Sequence, residues 1–225
     1  LQQAINVPLA DDIYDILLPL VEASESSDAA AALGALYEKH TDHRTIASRL
    51  VYATMALVAG EVNFRTLNIL ANLALPLLLL ALYLMSSAAP RRLVLLLPAA
   101  LALLQLRAYG ITFWAMASFA YFYVFVYGFL ALLLLQGAGP ARLLAAMLAA
   151  ALASFTLASG QMVWLVGLAS LALQALLHKS VPRHYLLWWL LAAVSILMLW
   201  RAGPGDRIGL GQLLQFFFDN PRHYV

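Results

Sequence analysis

The chain has 225 residues, of which 64% are hydrophobic and only 11% are charged. A soluble domain carries roughly 25% charged residues, so this composition excludes a water-soluble globular protein and predicts that the bilayer is the solvent for most of the chain. The absence of cysteine excludes disulfides and thiolate metal sites. Nine of the eleven acids precede residue 66, whereas nine of the thirteen Lys and Arg residues follow it. We therefore predict an acidic extracytoplasmic segment over residues 1–65, a transmembrane domain over 66–200 and a short extracytoplasmic segment over 201–225.

The acidic segment contains three predicted helices. Asp11–Val21 has apolar side chains on one face and Asp12 and Asp15 on another, which predicts a short amphipathic helix. Ala29–His40 is rich in alanine and leucine and favours a second helix. Thr45–Gly60 is apolar but too short to cross a bilayer comfortably. It predicts a juxtamembrane helix that leads into the first span.

The hydrophobic body predicts an all-α, polytopic bundle of about six transmembrane helices, each of which needs about 20 apolar residues. The second and fourth runs are short, and they end near Gly110 and Gly160. These glycines indicate either simple loop ends or backbone breaks shielded by protein. The predicted spans are Asn68–Met85, Leu93–Leu106, Ile111–Leu135, Leu143–Leu157, Met162–Leu177 and His184–Trp200.

Alternate connections between the predicted spans contain five basic residues and no acid. By the positive-inside rule these connections face the cytoplasm. The acidic N-terminal segment is therefore predicted to face outward. The residues concerned are Arg91, Arg92, Arg142, Lys179 and Arg183.

Three aspartates open the acidic segment. Asp11 and Asp15 are four residues apart and Asp12 and Asp15 are three apart, so all three share one side of a helix. Close like charges raise one another's pKa or recruit a cation. The cluster can therefore supply a catalytic base, or bind Mg²⁺ against a phosphate. The alternative is a set of solvated carboxylates in a first helical turn, where negative charge is favoured.

A histidine-rich polar stretch follows the second predicted helix. His40, Asp42, His43 and Arg44 are candidate substrate-binding residues that could hydrogen-bond a phosphate or a sugar hydroxyl. A plain polar loop is the alternative. Two histidines without a third ligand are a weak zinc signal, so no metal is predicted here.

Four arginines fall on the predicted outer side, where the charge rule does not expect them. A guanidinium offers bidentate hydrogen bonds to phosphate, which favours a lipid-phosphate site. Snorkelling of each side chain to the interface is the alternative. These residues are Arg107, Arg201, Arg207 and Arg222.

An outward segment with paired aspartates, short interfacial helices and a polytopic body together resemble the GT-C superfamily of integral-membrane glycosyltransferases. In that superfamily a catalytic Asp or Glu lies in the first extracytoplasmic loop, and sugars come from polyprenyl-phosphate donors. More narrowly, Leu36–Arg44, Arg107–Trp114 and Ala158–Trp164 are similar to segments of a group of bacterial membrane proteins. Those proteins usually read His-Asn-Glu-His-Arg where this chain reads His40-Thr-Asp-His-Arg44.

The resemblance implies that Asp11 or Asp12 deprotonates an acceptor hydroxyl as it attacks the anomeric carbon. It further implies a bacterial inner-membrane location and a glycan, lipid or protein acceptor in the cell envelope. The polar stretch and Asp15 would position substrate, and the outer arginines would stabilise charge on the departing lipid phosphate. No cofactor is implied apart from a possible Mg²⁺ at the three aspartates, and nothing points to nucleic-acid binding. A further spanning helix is expected before Leu1, in a chain that continues beyond Val225.

Two other function classes stay open. A non-enzymatic transporter, flippase or assembly scaffold is one, although transporters place ionisable groups near the bilayer midplane and the predicted spans contain few polar residues. A Mg²⁺-dependent prenyltransferase also uses Asp-Asp-x-x-Asp, but it needs a second aspartate-rich motif. Beyond residue 65 the only aspartates are Asp206 and Asp219, and they are isolated.

Overall fold

A computed structural model of the protein describes residues 6–8, 12–39, 43–86, 92–105, 109–137, 139–178 and 182–202. Within these ranges the chain is helical and contains no β-strand. The prediction of an all-α protein is therefore confirmed for the part of the chain that the structure describes.

Three helices form the N-terminal part of the described chain, here called the headpiece (residues 12–39 and 43–59). The second begins at Asp28, whose Oδ1 accepts a hydrogen bond from the Ala31 N–H at 2.8 Å. The third ends at Gly60, which has a left-handed φ of 75°. A π-helical segment, Asp12–Leu17, continues into α1, Leu18–Glu25, followed by α2, Ala29–Tyr37, and α3, Ile46–Ala59.

The first headpiece helix turns its acids inward, so the predicted separation into an apolar face and an acidic face is wrong. Asp12, Asp15 and Ile16 are buried, whereas Ile13 is 40% exposed. Residues three and four apart share one side of the helix, which places both carboxylates beside Ile16. The burial is possible because α3 supplies hydrogen-bond donors to both carboxylates.

The hydrophobic body contains four stretches that are long and apolar enough to cross a membrane, which identifies a membrane protein. They are Phe64–Met85 (α4 and α5), Ala115–Leu135 (α8), Ala158–Leu177 (a 3₁₀ turn and most of α10) and Arg183–Ala202 (α11). The helices Arg92–Leu103 (α6) and Pro140–Ser154 (α9) have 12 and 15 residues, or lengths of about 18 and 22 Å at 1.5 Å per residue, against a hydrocarbon core of about 30 Å. Four of the six predicted spans thus have the required length. The helices are α4 Phe64–Asn72, α5 Ala74–Met85, α6 Arg92–Leu103, α7 Tyr109–Thr112, α8 Ala115–Leu135, α9 Pro140–Ser154, the turn Ala158–Gln161, α10 Met162–His178 and α11 Arg183–Ala202.

The headpiece lies against one end of the long helices. The Ala47 N–H in α3 donates to the Phe155 carbonyl, just beyond the end of α9, at 3.1 Å. Other headpiece side chains reach the beginning of α8 and the end of α11, as described below. Arg142 and Arg183 lie in the first turns of α9 and α11, at the opposite ends of those helices. The basic residues and the headpiece are therefore separated by the length of the helices.

The two glycines at the ends of the short runs differ in their surroundings. Gly160 is buried in the 3₁₀ turn, and a Cβ there would lie 2.0 Å from the Ala153 carbonyl oxygen. At Gly110 nothing lies within 4 Å of the same position. A shielded backbone break is therefore present at Gly160, whereas Gly110 lies inside the short helix α7 and is not enclosed by described atoms.

Candidate functional site

A fully buried ion pair lies at the centre of the headpiece. Arg49 Nη2 lies 2.8 Å from Asp15 Oδ1, and the two side chains are 1% and 0% exposed. The Thr45 hydroxyl donates to Asp15 Oδ2 at 2.7 Å, and Arg49 Nε donates to the Asp15 backbone carbonyl at 2.7 Å. A buried ion pair is tolerated only when additional hydrogen bonds satisfy the remaining lone pairs. Both carboxylate oxygens of Asp15 meet that requirement through bonds within the chain.

The same arginine holds the end of α2. Arg49 Nη1 donates to the carbonyl oxygens of Leu36 at 3.0 Å and Glu38 at 2.6 Å. The last carbonyls of a helix lack partners within the helix, and a cation is favoured beside them. Arg49 therefore joins the π-helical segment, α2 and α3 into one unit.

Asp12 lies where the headpiece meets α8. Its Oδ1 accepts hydrogen bonds from the Tyr52 hydroxyl at 3.2 Å and from the Met116 N–H at 3.3 Å. Met116 is the second residue of α8, and the preceding Trp114 makes no side-chain cap. The carboxylate therefore satisfies an amide at the N-terminus of a 21-residue helix, where negative charge is stabilised.

The phenol of Tyr52 is fixed in its protonated form. Burial raises the pKa of Tyr52 strongly, and the Asp12 carboxylate raises it further through its charge and its hydrogen bond. The Tyr52 ring also makes edge contacts with Phe64 and Phe119, with centroids 6.1 Å away in each case. Tyr52 thus links the carboxylate to the apolar core beneath the headpiece.

Arg44 performs the opposite capping role at the end of α11. Its Nε donates to the Trp200 carbonyl at 2.7 Å and its Nη1 to the Tyr37 carbonyl at 2.6 Å. The guanidinium carbon lies 4.7 Å from the Tyr37 ring centroid, and the Tyr37 hydroxyl donates to the Leu199 carbonyl at 2.6 Å. A cation is favoured beside helix C-terminal carbonyls. The headpiece therefore supplies an anion to the start of α8 and a cation to the end of α11.

A separate pair of buried amides connects α4 to the short helix before α8. Asn72 Nδ2 donates to Asn68 Oδ1 at 2.7 Å and to the Thr112 carbonyl at 2.7 Å. These contacts fix the segment from which α8 begins. The two polar residues in the first predicted span thus have a structural explanation.

The structure brings together only some of the predicted site residues. Asp12, Asp15 and Arg44 are buried at the junction between the headpiece and the long helices. His43 is half-buried, and its Nδ1 finds no hydrogen-bond partner among the described residues. Arg201 is exposed in the last turn of α11. The remaining candidates lie outside the described residues: Asp11, His40, Asp42, Arg107, Arg207 and Arg222.

The magnesium hypothesis for the three aspartates stays a prediction. The described residues contain no group of three potential metal-binding side chains, and Asp11 lies outside them. Asp15 would have to exchange Arg49 or Thr45 for the cation, because these two residues bond both of its oxygens. A cation at Asp12 and Asp15 therefore requires the headpiece to rearrange.

Sequence reasoning missed three residues of this site. Thr45, Arg49 and Tyr52 form a polar stripe on the buried face of α3, at spacings of four and three residues. Arg49 is the only charged residue between Thr45 and Gly60. A single charge in line with two other polar side chains, within an apolar helix, was the signal that could have identified them.

Comparisons of the chain with models of protein families, with functionally characterised proteins and with solved structures find no match. The functional interpretation therefore depends on the chemistry of the junction.

Proposed function

We propose that the protein is a membrane glycosyltransferase of the GT-C kind, with Asp12 as the catalytic base. It transfers a sugar from a polyprenyl-phosphate donor to a cell-envelope acceptor. The reaction takes place on the extracytoplasmic face of a bacterial inner membrane, where the headpiece meets the spans. The observation that carries the proposal is the carboxylate of Asp12 at this junction, beside the phenol of Tyr52 and the first turn of α8.

The two described aspartates of the cluster have different neighbours. Asp15 receives its side-chain bonds at 2.7 and 2.8 Å, one of them from an arginine. Asp12 accepts hydrogen bonds from the Tyr52 hydroxyl at 3.2 Å and from the Met116 N–H at 3.3 Å. Asp15 is therefore paired with an arginine, whereas Asp12 adjoins a phenol and the first turn of α8. This difference favours Asp12 as the base and gives Asp15 a supporting role.

Asp12 is only 1% exposed. A general base must come within hydrogen-bond reach of the proton that it removes. In this proposal the acceptor hydroxyl reaches Asp12 when the π-helical segment moves away from the start of α8. The structure then corresponds to a closed state of the site.

An apolar groove between α8 and α10 supports a lipid-linked donor. The groove has a volume of about 340 Å³, and its walls include Val124, Gly128, Val163 and Val166. It begins at Ser159 and Gly160, in the turn that follows Phe155, whose carbonyl accepts a hydrogen bond from the headpiece. An isoprenoid chain along this groove would bring its phosphate to the headpiece side of the bilayer.

Asp12→Asn tests the proposal in membranes that contain the full-length protein, with polyprenyl-phosphate sugars as donors. Asparagine keeps an acceptor oxygen for Tyr52 and Met116 but cannot take up a proton. We expect transfer to fall by about 10²- to 10⁴-fold, the usual contribution of a general base, at an unchanged level of folded protein. Asp11→Asn in the same assay tests the other aspartate of the pair.

The matched control is Asp28→Asn, because Asp28 caps α2 and asparagine caps a helix equally well. Transfer that survives Asp12→Asn and Asp11→Asn would limit these aspartates to structural roles. Absence of transfer from every donor by folded wild-type protein would instead favour a flippase or an assembly scaffold.

A further inference from the structure

The end of α3 carries the two most exposed large apolar side chains among the described residues. Leu57 is 86% exposed and Val58 is 83% exposed. Large apolar side chains in the spans are exposed because they face lipid, but α3 is not one of the four spanning stretches. An apolar surface of this kind outside a span indicates an interaction site.

These side chains belong to a continuous face of the helix. Leu50, Thr54, Leu57 and Val58 follow one another at spacings of four, three and one residues, and all four are exposed. The buried polar stripe of Thr45, Arg49 and Tyr52 lies on the other side of α3. The helix is therefore amphipathic in an inverted sense, with its charge inside the protein and its apolar face outside.

The exposed face of α3 has no charged side chain, and its one hydroxyl is already hydrogen-bonded. The Thr54 hydroxyl donates to the Leu50 carbonyl at 2.7 Å, so its hydrogen-bonding capacity is used within the helix. No charged residue occurs from Leu50 to Gly60. Nothing on this face requires water.

The last turns of α3 lie beside the beginning of the first span. The Asn63 N–H donates to Met55 Sδ at 3.4 Å, and Asn63 Oδ1 caps α4 by accepting from the Thr66 N–H at 3.0 Å. The spanning stretch begins at Phe64. The boundary between water and hydrocarbon therefore lies near the depth of the α3 C-terminus.

We infer that the face formed by Leu50, Thr54, Leu57 and Val58 inserts into the lipid bilayer at the headgroup–acyl boundary, as an interfacial anchor of the headpiece. Interfacial helices lie in the membrane plane with their apolar side chains buried by roughly 5–10 Å. The neighbouring span also has an exposed apolar row, in which Ile69, Leu73 and Leu77 are 40–48% exposed. Because the C-terminus of α3 lies beside the start of this span, lipid is the occupant that its position favours over a second protein.

The chain contains no cysteine, so single cysteines can be introduced for spin labels without other changes. Leu57→Cys and Val58→Cys report on the proposed anchor. Ser27→Cys, exposed between α1 and α2, is the water-facing control, and Leu130→Cys, 41% exposed on α8, is the lipid-facing control. The labelled proteins are reconstituted in phosphatidylcholine–phosphatidylglycerol vesicles, and spin relaxation is measured with oxygen and with a water-soluble nickel chelate.

We expect labels at 57 and 58 to be accessible to oxygen and protected from nickel, close to the label at 130 and unlike that at 27. Nickel access equal to that at 27 would overturn the inference, because the face would then be in water. Protection from both reagents would also overturn it, because a second copy or another protein would then cover the face. Each result is independent of sugar transfer.

Discussion

The headpiece and the core between α8 and α11 are stabilised by different interactions. The headpiece buries an ion pair and several charge-assisted hydrogen bonds, centred on Asp15 and Arg49. The body between α8 and α11 buries alanines and leucines around two tryptophans, and Trp189 donates to the Trp164 carbonyl at 2.8 Å. Lipid is as apolar as leucine, so helices in a membrane associate through close fit. Charge therefore determines the arrangement at the surface, and shape determines it within the bilayer.

The strongest test of the comparison removes the charge from the headpiece. Arg49→Met leaves Asp15 buried without its cation, and loss of one partner of a buried ion pair costs about 3–5 kcal/mol. We expect the free energy of unfolding to fall by this amount, measured by denaturation in detergent. Arg65→Met, at an exposed arginine, is the control. If Arg49→Met and Arg65→Met have equal effects, the ion pair does not hold the headpiece together.

The close packing of the helical body is tested by adding one carbon atom to Gly160, in the turn between α9 and α10. In Gly160→Ala the new Cβ would lie 2.0 Å from the Ala153 carbonyl oxygen, which belongs to rigid helix backbone. We expect a loss of about 1–3 kcal/mol, the usual cost of overpacking. Gly110→Ala meets no atom within 4 Å and serves as the control. Thermal unfolding that is unchanged by Gly160→Ala would contradict the close approach.

A smaller effect is expected where the two regions meet. Tyr52→Phe removes the donor to Asp12, and a hydrogen bond to a charged group contributes about 1.5–3 kcal/mol. The ring and its contacts with Phe64 and Phe119 remain. We expect a loss of stability near the lower end of that range, because the bond is 3.2 Å long. Equal denaturation midpoints for Tyr52→Phe and wild type would show that the Tyr52–Asp12 hydrogen bond does not stabilise the junction.

The Tyr52 phenol also makes the stability of the protein depend on pH, in a defined direction. The pKa of Tyr52 in the folded protein is raised above its usual 10.0, chiefly by burial, so at high pH the unfolded chain loses this proton first. The contribution of Tyr52 to stability is then complete below pH 10 and is lost as the pH rises above it. We expect the stability of wild type to fall more steeply above pH 10 than that of Tyr52→Phe. Parallel curves for the two proteins would contradict this account.

The smallest expected effect is a gain. Gly34 lies inside α2, and nothing is within 4 Å of a Cβ at that position. Gly34→Ala should stabilise the headpiece by about 0.5–1 kcal/mol, because glycine loses more conformational freedom in a helix. Hydrogen exchange of the α2 amides is the measurement, and faster exchange in the variant would count against a helix at this position.

Local sequence patterns predicted the helices but not the contacts between them. Ala29–Tyr37 and Ile46–Ala59 follow from alanine content and apolar runs, and the four long spans follow from length and hydropathy. The Asp15–Arg49 pair joins residues 34 apart, and the Asp12–Met116 bond joins residues 104 apart. No local spacing encodes such distances. The inward orientation of the acids was mispredicted for this reason, since it depends on donors in α3 and α8.

The contact of Arg44 with the end of α11 has a consequence for the order of assembly. The headpiece is made before α11, yet the carbonyl oxygens of Leu199 and Trp200 that Tyr37 and Arg44 bind belong to this last described helix. More than 150 residues separate the two partners of the Arg44 bond. The headpiece therefore cannot complete these contacts until α11 has been made, so its docking comes late in the assembly of the described chain.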